Sequence, residues 1–220
     1  MPVLYSCLAA VWVLAAALRW LDDDSSRADR WVFTGIAVAS VGVAALWWRK
    51  RRQALTTPVP EGVELLPIDE DVLDRLVDAA RSDAAPDEVT PPMAGDHWGP
   101  ERIAWLRTFH RDRRAGLDGP LGEATWAVSL DGAVVGAVRL KRTDDPTVLE
   151  TGIWLTRSAR GHGTGRLAVA AALQRAGELG AREVRADTGP DNAAALYVLQ
   201  RLGFRTSPAG GRVIAVRTLE

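Results

Sequence analysis

Cysteine is almost missing from this sequence. Cys7 stands alone among 220 residues, so an intramolecular disulfide and a cysteine-rich metal site are both excluded. Histidine is scarce too, and His97, His110 and His162 show no metal-ligand spacing, so no metal is expected. Lysine is restricted to Lys50 and Lys141 within 27 basic residues, a composition that favours arginine throughout rather than one basic patch. The net charge of −1 lacks the excess of positive charge that a general nucleic-acid binder carries. There is no internal repeat, and the length holds one ordinary domain and little more.

What is present begins with two uncharged apolar runs, residues 2–18 (PVLYSCLAAVWVLAAAL) and 31–48 (WVFTGIAVASVGVAALWW). Each is near the short limit of about 17 residues for a membrane-crossing helix. Trp20, Trp31, Trp47 and Trp48 lie at their edges, where tryptophan favours the headgroup zone, and Arg49–Arg52 (RKRR) follow the second run. Basic flanks stay on the cytoplasmic side. The expectation is a two-span hairpin over residues 1–52 in the plasma membrane, with both termini and the remaining domain cytoplasmic. A cleaved secretory signal does not fit, because no basic segment precedes the first run. Buried helices of a soluble core would rarely be uncharged on every face. Cys7 then reads as a membrane-buried thiol.

Residues 53–60 (QALTTPVP) form a linker, and residues 61–220 carry the patterning of one α/β domain. GVELLPI reads as a strand. The next segment, 69–84, places Val72, Leu73, Leu76, Val77 and Ala80 on one helical face. A second helix starts at Pro100 and closes at Gly116. ATWAVSL and AVVGAVRLKR flank Asp131-Gly132, a hairpin signal. TVLETGIWLT, EVRADT and GRVIAVRTL read as further strands, with helices at 164–180 and 192–202. The predicted order β-α-α-β-β-β-α-β-α-β describes a mixed, mostly antiparallel sheet flanked by helices.

RSARGHGTGR (157–166) sets Gly161, Gly163 and Gly165 between a strand and a helix. Glycines let successive N–H groups converge on one concavity, and the positive end of the helix dipole adds to it. Arg157, Arg160 and Arg166 supply further positive charge. The loop lacks the Gly-Lys-Ser/Thr ending of a Walker loop, and its G-x-G-x-G spacing is not the dinucleotide fingerprint. On these grounds alone it could equally be an ordinary strand-to-helix turn.

Arg160-x-x-Gly163-x-Gly165, LETGIWL (149–155) upstream and NAAALYVLQRLGF (192–204) downstream together resemble the GNAT superfamily of N-acyltransferases. The likeness is to its branch of ribosomal-protein N-terminal acetyltransferases, and it covers residues 61–220. It implies acetyl-CoA, or a related acyl-CoA, as acyl donor. The pyrophosphate would lie on backbone N–H groups of Arg160, Gly161, His162, Gly163, Thr164 and Gly165, and the pantetheine arm along Trp154, Leu155 and Thr156. The strand ending at Thr188 would splay away there, with Asn192 facing the cofactor. The resemblance offers Glu150 as general base, with desolvation in an apolar strand raising its proton affinity; a place on a wet face of the strand, or a role in orienting substrate, is the equal alternative. Asp187 is the second choice. Trp98, Trp105, Phe109 and His110 lie where the family builds its acceptor wall, and core packing is the other reading, preferred for Phe109. His162 is read as a solvent-exposed loop residue.

The sequence departs from the family at the leaving group. Leu199 stands where many members carry tyrosine and Ala195 where the branch often has serine, while Tyr197 lies on the opposite side of that helix. The expected activity is transfer of an acetyl group to a primary amine, either a protein N-terminus or a small-molecule amine, by direct attack in a ternary complex. A non-catalytic acyl-CoA sensor is the alternative. The acceptor half, roughly 86–122, carries no motif that names the amine, and the oligomeric state is not encoded in any motif.

Overall fold

The computed structural model describes residues 62–219 together with Thr34, Ile36, Val38 and Ala39. The four isolated residues are helical. The expected hairpin otherwise lies outside the described residues, and among those that are described no helix is long and apolar enough to cross a membrane. The chain divides at Pro58/Val59.

The domain opens with β1 (Val63–Pro67). Helix α1 (Glu70–Asp83) begins where the Asp69 carboxylate accepts the Val72 N–H, and buries Leu73, Leu76, Val77 and Ala80, the expected stripe with Val72 half-buried at its edge. A short α2 (Pro86–Val89) precedes α3 (Pro100–Asp112). The chain expected to continue that helix to Gly116 breaks and re-forms as a 3-10 turn at Gly116–Asp118. Strands β2 (Glu123–Leu130) and β3 (Ala133–Arg142) form the expected hairpin, with Asp131 and Gly132 both at positive φ, as a type I′ turn requires.

Strand β4 (Val148–Leu155) leads through a 3-10 turn (Arg157–Ala159) into α4 (Thr164–Glu178). Then come β5 (Glu183–Thr188), α5 (Ala193–Arg201), and a hairpin of β6 (Arg205–Ala209) and β7 (Arg212–Thr218). The sheet therefore has seven strands, in the order β1-β2-β3-β4-β5-β7-β6, one more than predicted. β6 is exposed along its whole length and contains Pro208. It carries no alternating pattern to betray it, and an edge strand tolerates proline.

All strand pairs are antiparallel except β4–β5. One face of β2–β4 packs on α1 and α3 through Leu73, Leu76, Leu106, Ala127 and Ala137. The other packs on α4 through Val128, Val138, Leu155, Ala168 and Ala172. These layers fix the two ends of β4, where the site lies. At Gly136 a Cβ would fall 2.2 Å from the Trp154 carbonyl oxygen, so only glycine lets β3 lie this close to β4.

Candidate active site

The glycine loop is built to leave donors free. Arg160 N–H bonds the Arg157 carbonyl at 3.2 Å, ending the 3-10 turn, and the first helical bond runs from Leu167 N–H to the Gly163 carbonyl. Between them, the N–H groups of Gly161 to Arg166 have no acceptor among the described residues. Gly161 and Gly163 sit at φ +81° and +93°, the left-handed region that a side chain resists. Gly163 is the N-cap of α4, with no side-chain cap and no acid in the first turn. Six unbonded donors thus stand at the positive end of a helix dipole, which suits a polyanion. Thr164 is turned inward and fully buried, whereas His162 is exposed.

Beside the loop the sheet parts. β4 and β5 pair only from Val148/Glu183 to Thr151/Ala186, although β4 runs on to Leu155 and β5 to Thr188. The expected splay is therefore present. Thr143 N–H donates to Val148 O at one end of the β3–β4 ladder, and Thr156 N–H donates to Val135 O at the other. Because bonded and non-bonded pairs alternate in an antiparallel ladder, the even-numbered residues of β4 bond to β3. The odd-numbered ones project toward β5. Past Thr151, then, Ile153 and Leu155 present their main-chain groups to the gap, whereas those of Trp154 and Thr156 are committed to β3. The Leu155 carbonyl already accepts Arg160 Nε at 3.0 Å and Nη2 at 2.7 Å.

The arginine that does this is not a free positive charge. Its guanidinium also grips both oxygens of Glu88, at 3.1 and 2.6 Å. This bond holds the Glu88 carboxyl below its usual range and pushes Arg160 up. The Ser158 N–H donates to Asp83 at 2.9 Å, and Asp87 pairs with Arg102 at 2.8 Å. Asp83, Asp87 and Glu88 are thus all paired within the domain.

Glu150 lies on the sheet face shared with Arg139 and Glu123. Arg139 reaches Glu150 Oε1 at 2.5 Å and Glu123 Oε1 at 3.1 Å, and Arg113 Nε stands 2.8 Å from Glu123 Oε2. The Glu123 side chain is 5% exposed and that of Glu150 is 37% exposed. Glu150 is therefore a rim carboxylate with a guanidinium partner, not the unpaired desolvated acid expected from its apolar strand. Its Oε2 has no partner among the described residues. Room for Arg139 comes from Gly152, opposite it in register, where a Cβ would lie 2.9 Å from Arg139 Nε.

Behind this cluster His110 is 2% exposed. Its Nδ1 meets Thr125 Oγ1 at 3.1 Å, and its Nε2 has no partner among the described residues. Burial, with Arg113 nearby, pulls its pKa down to about 4. Trp105 stacks on Phe109 at 4.9 Å and the Arg113 guanidinium lies over the Phe109 ring at 3.6 Å. Trp98 donates to the Ala84 carbonyl. These aromatics are tied into the α1–α3 layer.

Asn192 Oδ1 accepts the Ala195 N–H and so caps α5. Leu199 is buried against Phe204 and Leu173, while Tyr197 is 57% exposed, as the helical spacing implied. Asp187 is paired with Arg212 at 2.7 Å. Among the described residues no group of His, Cys, Asp and Glu side chains is gathered to hold a metal.

The comparisons agree with this geometry. The acetyltransferase (GNAT) domain family matches residues 63–205, and the chain belongs to that family. RimJ of Mycobacterium smegmatis, solved with CoA-disulfide, superposes with a TM-score of 0.60 at 21% identity, over 73% of this chain and 84% of that one. A RimL structure described as a ribosomal L7/L12 α-N-protein acetyltransferase in complex with coenzyme A gives 0.59 at 15% identity, over 74% and 97%. PaiA of Thermoplasma acidophilum, also solved with coenzyme A, gives 0.52 at 16%, over 72% and 100%. No curated protein matches. The chain is an acetyl-CoA-dependent acyltransferase, and its free loop N–H groups and parted β4 edge fit that donor. Arg139, Glu123, Glu88 and Asp83 were not singled out from the sequence. Their partners lie 11 to 75 residues away, and no local signal joins them.

Proposed function

We propose that this protein is a membrane-tethered N-acetyltransferase, acting on a primary amine at the cytoplasmic face of the plasma membrane. The observation that carries the catalytic reading is the run of unbonded N–H groups from Gly161 to Arg166 opening beside the unpaired edge of β4. The diphosphate of the acetyl-CoA donor lies on that loop, with its pantetheine arm along the free edge of β4 at Ile153.

Glu150 faces the acceptor. With Oε1 held by Arg139, Oε2 is left to receive the incoming ammonium and take its proton, giving a neutral amine for direct attack on the thioester. An α-amine with a pKa of about 8 needs less help than a lysine-type amine at about 10.4, and a protein N-terminus is accordingly the favoured acceptor. The likeness to α-N-protein acetyltransferases supports that choice at the level of fold. Neither Leu199 nor Ala195 can donate a proton to the departing thiolate, so water fills that role.

The tether rests on the two uncharged runs with their tryptophan edges and the RKRR that follows. It concentrates the domain near membrane-associated amines.

The catalytic reading is tested by melting the full chain with acetyl-CoA, CoA and a CoA fragment lacking the pyrophosphate, then screening peptides with free N-termini, spermidine and an aminoglycoside for turnover. A saturable rise in Tm that needs the pyrophosphate is expected. No shift in a folded protein would dismiss the site. Release of the full chain from membranes by alkaline carbonate would dismiss the tether.

A further inference from the structure

Glu88 stands 72 residues from Arg160 in sequence, yet it decides what that arginine does. The segment carrying Glu88 is rigidly held. Arg102, 2% exposed, crosses beneath it and donates to Thr90 Oγ1 at 2.6 Å and to the Met93 and Gly95 carbonyls at 3.0 and 2.7 Å. Asp83, at the end of α1, fixes the Ser158 N–H on the cofactor side. Glu88 is thus presented to Arg160 from a braced platform, with both carboxylate oxygens engaged, the strongest arrangement available to such a pair.

The other half of the Arg160 guanidinium is spent on the Leu155 carbonyl, the last outward-facing acceptor of β4. An extended ligand pairing with a sheet edge chooses its rung by which main-chain groups are free. Rungs facing one side repeat every two residues, about 7 Å apart. A donor that slipped by one rung would carry its thioester about 7 Å along the gap, far outside the separation of about 3–3.5 Å that attack requires.

Resting on the acyl-CoA site proposed above, we infer that Glu88 is a positioning residue for the acyl donor. By holding Arg160 on the Leu155 carbonyl it closes that rung, so that the pantetheine amide pairs at Ile153 and the thioester has a single resting place. The arginine at the head of the loop serves as a register stop and not as a diphosphate ligand.

The test uses calorimetry on the full chain with two probes, acetyl-CoA and 3′-phospho-ADP, the nucleotide half of the donor, which has the diphosphate but no pantetheine. In Glu88→Gln, both probes are expected to bind at least as tightly as to the wild type, because a second register has opened, while turnover of an accepted amine falls about tenfold as the thioester leaves its place. Weaker binding of both probes would make Glu88 a general brace of the loop and overturn the inference, as would unchanged turnover. Should Glu88→Gln fail to fold, Arg160→Met and a crystal structure of the wild-type acetyl-CoA complex decide. Pantetheine on Ile153 with Arg160 still on Leu155 supports the register stop, and pantetheine on the Leu155 carbonyl with Arg160 displaced removes it. Wild-type protein that binds neither probe would sink the acyl-CoA site itself, a failure separate from that of Glu88.

Discussion

The cofactor loop and the Glu123 cluster lie on either side of the same strand and treat their polar groups in opposite ways. From Gly161 to Arg166 the backbone leaves six donors without an acceptor among the described residues. Around Glu123, two carboxylates and two guanidiniums pair off in a chain that ends at Glu150. Unpaired donors at a solvent-facing helix end cost little, since water serves them until an anion arrives. A carboxylate as buried as Glu123 would cost several kcal/mol without its arginines. The loop thus leaves its donors open, whereas the cluster is paired throughout except for its outermost oxygen.

That contrast can be broken by experiment, beginning with the cluster. Arg139→Met strips a partner from both Glu123 and Glu150 and is expected to destabilise the domain by about 3 kcal/mol, read by urea unfolding, with a fall in turnover of any accepted amine. A mutant as stable as the wild type would mean the cluster is not self-supporting. Acid should strike the same region next. A free imidazole takes up its proton near 6.5 and His110 only near 4, so between these values the unfolded chain binds a proton that the folded one refuses. Stability is full above about pH 6.5 and falls through that window, by about 2.5 kcal/mol at pH 4.5. Denaturation series at pH 7, 5.5 and 4.5 would check the slope.

The loop is expected to fail differently. Gly163→Val forces a β-branched residue to φ +93° and should weaken acetyl-CoA about 30-fold through backbone strain, with little change in the apo melting curve. Calorimetry beside melting separates the two. The smallest effect is that of Gly152→Ala, whose Cβ presses on a flexible arginine rather than on backbone. A loss of about 1 kcal/mol is expected, with lowered turnover as Glu150 loses its fixed orientation.

How much of this was legible in the sequence follows from range. The glycine loop, the Asp131-Gly132 hairpin and the α1 stripe are local patterns, and each appears where expected. The splay at the end of β5 came through family resemblance, and the sheet parts there. The donor edge was expected over Trp154 to Thr156, and of these Leu155 turns its main-chain groups to the gap, as does Ile153, while Trp154 and Thr156 pair with β3. Which residues of β4 face the gap depends on the bonding phase of the β3–β4 ladder, which apolar patterning does not record. Asn192 was expected at the cofactor and is engaged in capping its own helix, a role that an asparagine at that position fills on local grounds alone. β6 was missed because an exposed edge with a proline has no apolar face to announce it. The Glu123–Arg139–Glu150 chain joins three strands, and no single strand reveals it.

One consequence of the parted sheet reaches beyond the site. The seam between β4 and β5 has only four paired rungs, Val148 to Thr151, and among the described residues it is the one parallel junction, the less stable kind per residue. The sheet is in effect two boards joined by a short hinge-stitch, β1–β4 on one side and β5–β7–β6 on the other. A donor laid along Ile153 acts as a splint inserted into the split, so the amides beyond Thr151 are where hydrogen exchange should slow most when acetyl-CoA binds.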